Sequence, residues 1–107
     1  MKIIKVQRII TANTFLKRLR GYMFTEKPNI KEVLILEDCS SIHTFNMKFE
    51  LDVLFLDEDD RVIKVLRGLK RRKIIPTVLD CVKVVEAASP LFSSVEPNEC
   101  IRFEKND

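Results

Sequence analysis

The chain has 107 residues, room for one hydrophobic core and too few for two of ordinary size, which predicts a single domain over residues 1–107. It is 46% hydrophobic and 33% charged, so apolar surface suffices for a core, and a formal net charge of +3 is too mild to signal nucleic-acid binding by itself. No apolar run approaches the roughly 18 residues of a membrane-spanning helix, and the N-terminus has no signal-peptide pattern, so the expectation is a soluble, cytoplasmic protein. Cys39, Cys81 and Cys100 are odd in number and lack C-x-x-C spacing, which argues for reduced, mostly buried thiols rather than a disulfide framework or a zinc site.

In chain order, Ile3, Ile4, Val6, Ile9 and Ile10 sit among basic neighbours, a pattern that suits one edge strand interrupted at Thr11-Ala12-Asn13. Asn13 is placed to cap a helix whose apolar residues Phe15, Leu16, Leu19, Tyr22 and Met23 recur at spacings of three and four. Lys17, Arg18 and Arg20 lie towards its C-terminus, where the helix dipole favours cations, and Gly21 supplies the left-handed residue that ends it. Residues 32–37 read as a buried strand. Residues 51–57, the polar turn 58–60 and the run 61–66 together predict a β-hairpin. A basic loop over 68–73 follows, then Ile74-Ile75-Pro76 and a strand over 78–86. Ser89-Pro90 predicts a short second helix through Leu91 and Phe92. The run 100–103 closes the chain as a last strand before a frayed tail at about 104–107. With two glycines in the chain, Asn, Asp and Pro must carry most of the turn chemistry. These elements predict a mainly β fold, α+β by content. The architecture would be a small antiparallel β-sandwich or partly open barrel with one helix in the N-terminal half and a short second helix.

The segment Ile42-His-Thr-Phe-Asn-Met-Lys-Phe-Glu-Leu-Asp-Val-Leu-Phe55 resembles the signature of the domain-of-unknown-function 192 family. In that signature an aromatic or His-Thr pair leads to Asn or Gly, an apolar residue, and then Leu-Asp opening a hydrophobic strand. Arg20-Gly-Tyr-Met23 is similar to the family's Arg-Gly-Leu-Met at its helix end, and Val84-Val-Glu86 to its Val-Leu-Glu strand. The likeness runs from about Thr11 to Phe103 with order and spacing kept. His43-Thr44 stands where many members carry Trp-Met, and Val95-Glu-Pro-Asn98 replaces a glycine-containing turn. The resemblance implies a mainly β, sandwich-like fold and no established activity.

His43 is the one histidine of the chain, and an imidazole is suited to serve as acid, base or ligand. With Thr44, Asn46 and Asp52 it supplies the parts of a ligand site, and with Asp52 alone the parts of an acid–base pair. The plainer reading has its ring nitrogens satisfied by loop backbone, with Asp52 accepting amide hydrogen bonds. Phe45, Met47 and Phe49 alternate, which puts them on one side of an extended segment, either as core or as the wall of a shallow groove. Arg67, Lys70, Arg71, Arg72 and Lys73 form a candidate anion-binding stretch on an exposed loop. Residues 57–60 lack the glycine and distal glutamate of a calcium loop and read as a solvated turn. No metal site or cofactor is expected.

The leading expectation is a non-enzymatic binding or accessory module whose small ligand or protein partner engages a groove around residues 42–52. One alternative is a small hydrolase using His43 and Asp52. It lacks a Gly-x-Ser-x-Gly elbow, and it requires the two side chains to converge in an accessible cleft. Another is a weak nucleic-acid or anion binder through residues 67–73, which is not favoured because no aromatic residues lie nearby to stack bases.

Overall fold

The longest uninterrupted buried run, six residues from Leu51, sets the middle of the molecule, since a strand apolar on both faces must be covered on both. In the computed structural model, which describes residues 1–106, the chain forms β1 (Lys2–Val6), β2 (Arg8–Ala12), α1 (Phe15–Arg20), β3 (Glu32–Glu37) and β4 (Ile42–His43). It continues as β5 (Leu51–Leu56), β6 (Val62–Leu69), β7 (Ile74–Ile75), β8 (Lys83–Ala88) and β9 (Ile101–Lys105). A five-stranded sheet runs in the order β2-β3-β8-β5-β6, with β2 parallel to β3 and the other neighbours antiparallel. Two small ribbons complete the fold. β1 pairs parallel with β9, Lys2 opposite Ile101, and β4 pairs antiparallel with β7, Ile42 opposite Ile75.

The period-2 alternation of the sheet divides the core in two. Leu51, Val53, Phe55, Leu34, Leu36 and Val84 pack with Ile42, Ile75 and Met47, so the β4–β7 ribbon covers that face. Leu54, Leu56, Val33, Val85 and Ala87 pack with Val6, Ile101, Phe92 and Val95, under the β1–β9 ribbon. The fold is thus mainly β with open sheets that do not close into a barrel. No helix among the described residues is long and apolar enough to cross a membrane.

The β5–β6 hairpin forms as the sequence predicts. In its turn the Asp57 carboxylate accepts the Asp59 and Arg61 N–H groups at 2.8 and 3.0 Å, and Asp60 adopts φ 59°. Asp38, Asn46, Asp80 and Asn98 also take left-handed conformations, the turn role expected where glycine is scarce.

Several elements differ from expectation. The first predicted strand is two, because at Gln7 the chain leaves the β1–β9 ribbon for the main sheet, the Gln7 N–H bonding to the Lys31 carbonyl. Thr14, not Asn13, caps α1, its hydroxyl accepting the Lys17 N–H at 3.2 Å. The helix ends after six residues and buries none of them, leaving Phe15, Leu16 and Leu19 exposed, while Tyr22, just past the Gly21 cap, enters the core. The predicted second helix is absent. Residues 88–95 instead turn through hydrogen bonds of i→i+3 spacing (Leu91 to Ala88, Ser93 to Pro90, Val95 to Phe92), and Asp52 takes the Phe92 N–H. Residues 78–82 are a turn, which delays β8 to Lys83. β9 passes Phe103 and includes Glu104 and Lys105, paired with Lys5 and Val6. Residue 107 of the predicted tail lies outside the described residues.

Candidate functional site

The site begins with a carboxyl at a core position. Strand alternation turns Glu86 to the same face as Val84, and its neighbours across the sheet are Leu34 and Val53. It is 1% exposed. The Tyr22 backbone N–H is the donor that favours its ionised form, while Oε1 has no hydrogen-bond partner among the described residues. Burial outweighs the Tyr22 amide and pushes the acid up to about 8, so the group is neutral at neutral pH. Gly21 lies directly against it. A Cβ there would come within 2.9 Å of Oε1, and φ is 48°, so both space and conformation require glycine.

Over Glu86 opens a cleft of about 790 Å³, within the range of small-molecule sites. α1 forms one wall with Phe15 and Leu19, and the β4–β7 ribbon the other with Ile42, Phe45 and Ile74. Arg18, Asp38, Cys39 and His43 supply its polar groups. Arg18 is half-buried and has no ion-pair partner among the described residues. Burial pushes the Cys39 thiol up, and its Sγ donates to the Ser41 carbonyl at 3.1 Å. Beyond Gly21, the Tyr22 hydroxyl donates to Glu32 Oε2 at 2.9 Å, and Arg8 pairs with Glu32 Oε1 at 2.9 Å. Burial first and the Glu32 charge second push the phenol up, so it stays neutral.

His43 lines this cleft with both ring nitrogens engaged. Nε2 donates to the Leu19 carbonyl at 3.1 Å and Nδ1 accepts the Phe45 N–H at 3.2 Å, which selects one neutral tautomer and ties the ribbon to α1. Thr44 is fully buried and serves the backbone. Its hydroxyl donates to the Lys70 carbonyl at 2.7 Å and accepts the Lys73 N–H at 2.8 Å, clamping the basic turn. Thr44→Val, similar in shape but without the hydroxyl, therefore leaves a donor and an acceptor unpaired. It should lower stability by about 2 kcal/mol in urea denaturation. Asn46 adopts φ 61°, and its carbonyl accepts the Phe24 N–H at 3.0 Å outside the cleft wall. Phe45 and Met47 line the cleft, while Phe49 packs edge-on against Tyr22 with ring centroids 5.4 Å apart.

Asp52 is not brought to His43. It is fully buried opposite Ala87, in phase with Leu54 and Leu56, so it faces the other core. Oδ1 accepts the Gly68 N–H and Oδ2 the Phe92 N–H, both at 2.9 Å. The side chains needed for a His–Asp acid–base pair thus lie on opposite faces of the sheet. Arg67 is not on a loop either. It belongs to β6, and its guanidinium reaches the Phe92 and Val95 carbonyls and Glu96. Lys70, Arg71, Arg72 and Lys73 remain exposed beside the ribbon.

Neither composition nor spacing singles out Glu86, Arg18 or Cys39 as cleft residues. The available signal was in Val84-Val-Glu86-Ala-Ala88, a carboxylate in phase with aliphatic residues in a strand without turn formers.

A family model described as DUF192, "Uncharacterized ACR", matches residues 2–102. A UPF0127 protein of Thermococcus sibiricus is 38% identical over 73 residues, covering 64% of this chain and 47% of that protein. The chain spans about half the length of the curated relatives it matches. Among solved structures, a protein of unknown function from Novosphingobium aromaticivorans superposes with a TM-score of 0.75 at 20% identity, over 84% of this chain and 70% of that one. A suggested transcription regulator from Sinorhizobium meliloti gives a TM-score of 0.75 at 16% identity, over 84% of this chain and 76% of that one. At these identities the structural likeness is one of fold.

Proposed function

Since the chain belongs to the DUF192 family, whose activity is uncharacterised, we propose from its own geometry that it is a non-enzymatic binding module whose ligand occupies the cleft over Glu86. The observation that carries this reading is the buried carboxyl of Glu86, a residue that lines the cleft and whose Oε1 lacks a partner among the described residues. A buried polar atom without a partner costs about 1–3 kcal/mol, and a fold bears that cost more readily where a ligand completes the bond. Catalysis through His43 is disfavoured because both its nitrogens already serve the backbone and Asp52 faces the other core.

The test is a titration of the protein with hexanol and hexanamide, two small neutral amphiphiles, followed by amide chemical shifts. Shifts should cluster on Gly21, Cys39, His43, Ile74 and Glu86, and Ser41→Trp, which fills the cleft mouth, should remove them. Scattered shifts, or none, would discard the reading.

A further inference from the structure

We propose that the ligand of this cleft is a small carboxylate on an apolar stem, its carboxylate received by Glu86 Oε1 and Arg18 and its stem by Phe15, Leu19 and Ile74. This rests on the binding-module reading above and adds the chemical class.

The sign of the ligand follows from which hydrogen-bonding capacities are already used. With the Tyr22 N–H directed at the carboxyl and Oε1 left without a partner among the described residues, the neutral acid carries its proton on Oε1, a buried donor on a residue that lines the cleft. The surrounding groups offer it no acceptor. Cys39 Sγ is turned to Ser41, both His43 nitrogens are occupied, and the strand neighbours of Glu86 are Leu34 and Val53. Arg18 is a second donor, without an ion-pair partner among the described residues, in the same cleft. An O–H and a guanidinium bordering one space are complemented by an acceptor bearing negative charge, and hydrogen bonds of that type are the strong ones. A cationic ligand would meet Arg18 and Arg20 and find a neutral acid. Asp38 is the other acid on the cleft, and it is exposed on the rim, where solvent screens it. The remaining charged or titratable groups facing Glu86 are the Tyr22 phenol, neutral and turned to Glu32, and the Cys39 thiol, neutral until higher pH.

The sign gives a pH dependence. Ionised Glu86 repels a carboxylate and has lost its donor, so binding should weaken as pH rises through about 8, by about tenfold between pH 7 and pH 9. The experiment titrates the protein with hexanoate, hexylammonium and hexanol, read by amide shifts at both pH values. Hexanoate should bind at pH 7 and weaken about tenfold at pH 9. Glu86→Gln, which keeps an N–H donor without a titrating group, should bind hexanoate with no such dependence, and Arg18→Gln should weaken it severalfold while leaving hexanol unaffected. Hexylammonium binding that tightens with pH, or hexanoate binding indifferent to both substitutions, overturns the proposal. Hexanol shifting the cleft residues while hexanoate does not overturns the carboxylate class and leaves the binding-module reading standing. Silence from all three removes both.

Discussion

Between about pH 5 and pH 8 the wild-type protein should lose on the order of 3–5 kcal/mol of folding stability that Glu86→Gln retains. The folded state holds the Glu86 proton up to about pH 8, whereas the unfolded chain releases it near the ordinary value of 4.5. A group whose folded pKa is raised contributes stability that is fully present below the unfolded pKa. That contribution is lost as pH rises through the folded one, because the unfolded state gains by ionising and the buried state does not. Glutamine has the shape of the protonated acid and does not titrate. The two proteins should therefore be similar in stability near pH 4 and diverge until about pH 8, with a flat difference above. Urea denaturation at closely spaced pH values measures this, and parallel profiles would show that Glu86 is solvated rather than buried.

The second large effect belongs to the opposite face. Asp52→Ala should destabilise by about 3–4 kcal/mol at neutral pH, since it removes two hydrogen bonds to a carboxylate and leaves the Gly68 and Phe92 N–H groups unpaired in the interior. The carboxylate ties three parts of the chain at one point: β5 through its own backbone, β6 through Gly68, and the turn segment 88–95 through Phe92. Asp52→Asn keeps one acceptor and presents an NH₂ to the other donor, so its loss should be smaller but still above 1 kcal/mol. The Asp52 variants that remain folded should bind hexanol in the cleft as wild type does, because Asp52 lies across the sheet from it. A cleft affinity that follows the Asp52 substitution would tie the two faces together and remove this separation of scaffold from site.

What the sequence shows of this molecule depends on distance along the chain. β3, β5 and the β5–β6 hairpin are legible because their signals are local: dense aliphatic runs bounded by Asp and Asn turns. The parallel pairing of β1 with β9 joins residues about a hundred positions apart, and no local periodicity announces it. The apolar spacing of Phe15, Leu16 and Leu19 is truly helical, yet spacing does not say whether a helix face meets a sheet or an opening, and here it meets the opening. The same ambiguity hid the roles of two of the buried acids, Asp52 and Glu86. Period-2 alternation assigns Asp52 and Glu86 to faces only once neighbouring strands are known. Placing them moved Asp52 from the expected site to the far core and Glu86 from a strand match to the floor of the cleft. His43 and Thr44 were legible as a place, through the likeness of residues 42–55 to the family signature, but their backbone partners at Leu19 and Lys70–Lys73 lie 24 or more residues away.

The β1–β9 ribbon also bears on how fast the molecule folds. The core beneath it, with Val6, Phe92 and Ile101, cannot be sealed until residues 2–6 meet residues 101–105. That closure spans nearly the whole described chain, and the loop-closure entropy it requires must be met before the contacts it makes can offset it. Refolding should accordingly be slow for a domain of this length, on the order of milliseconds to seconds. Until the last strand docks, one face of the central sheet stays open to wrong partners as well as to the right one.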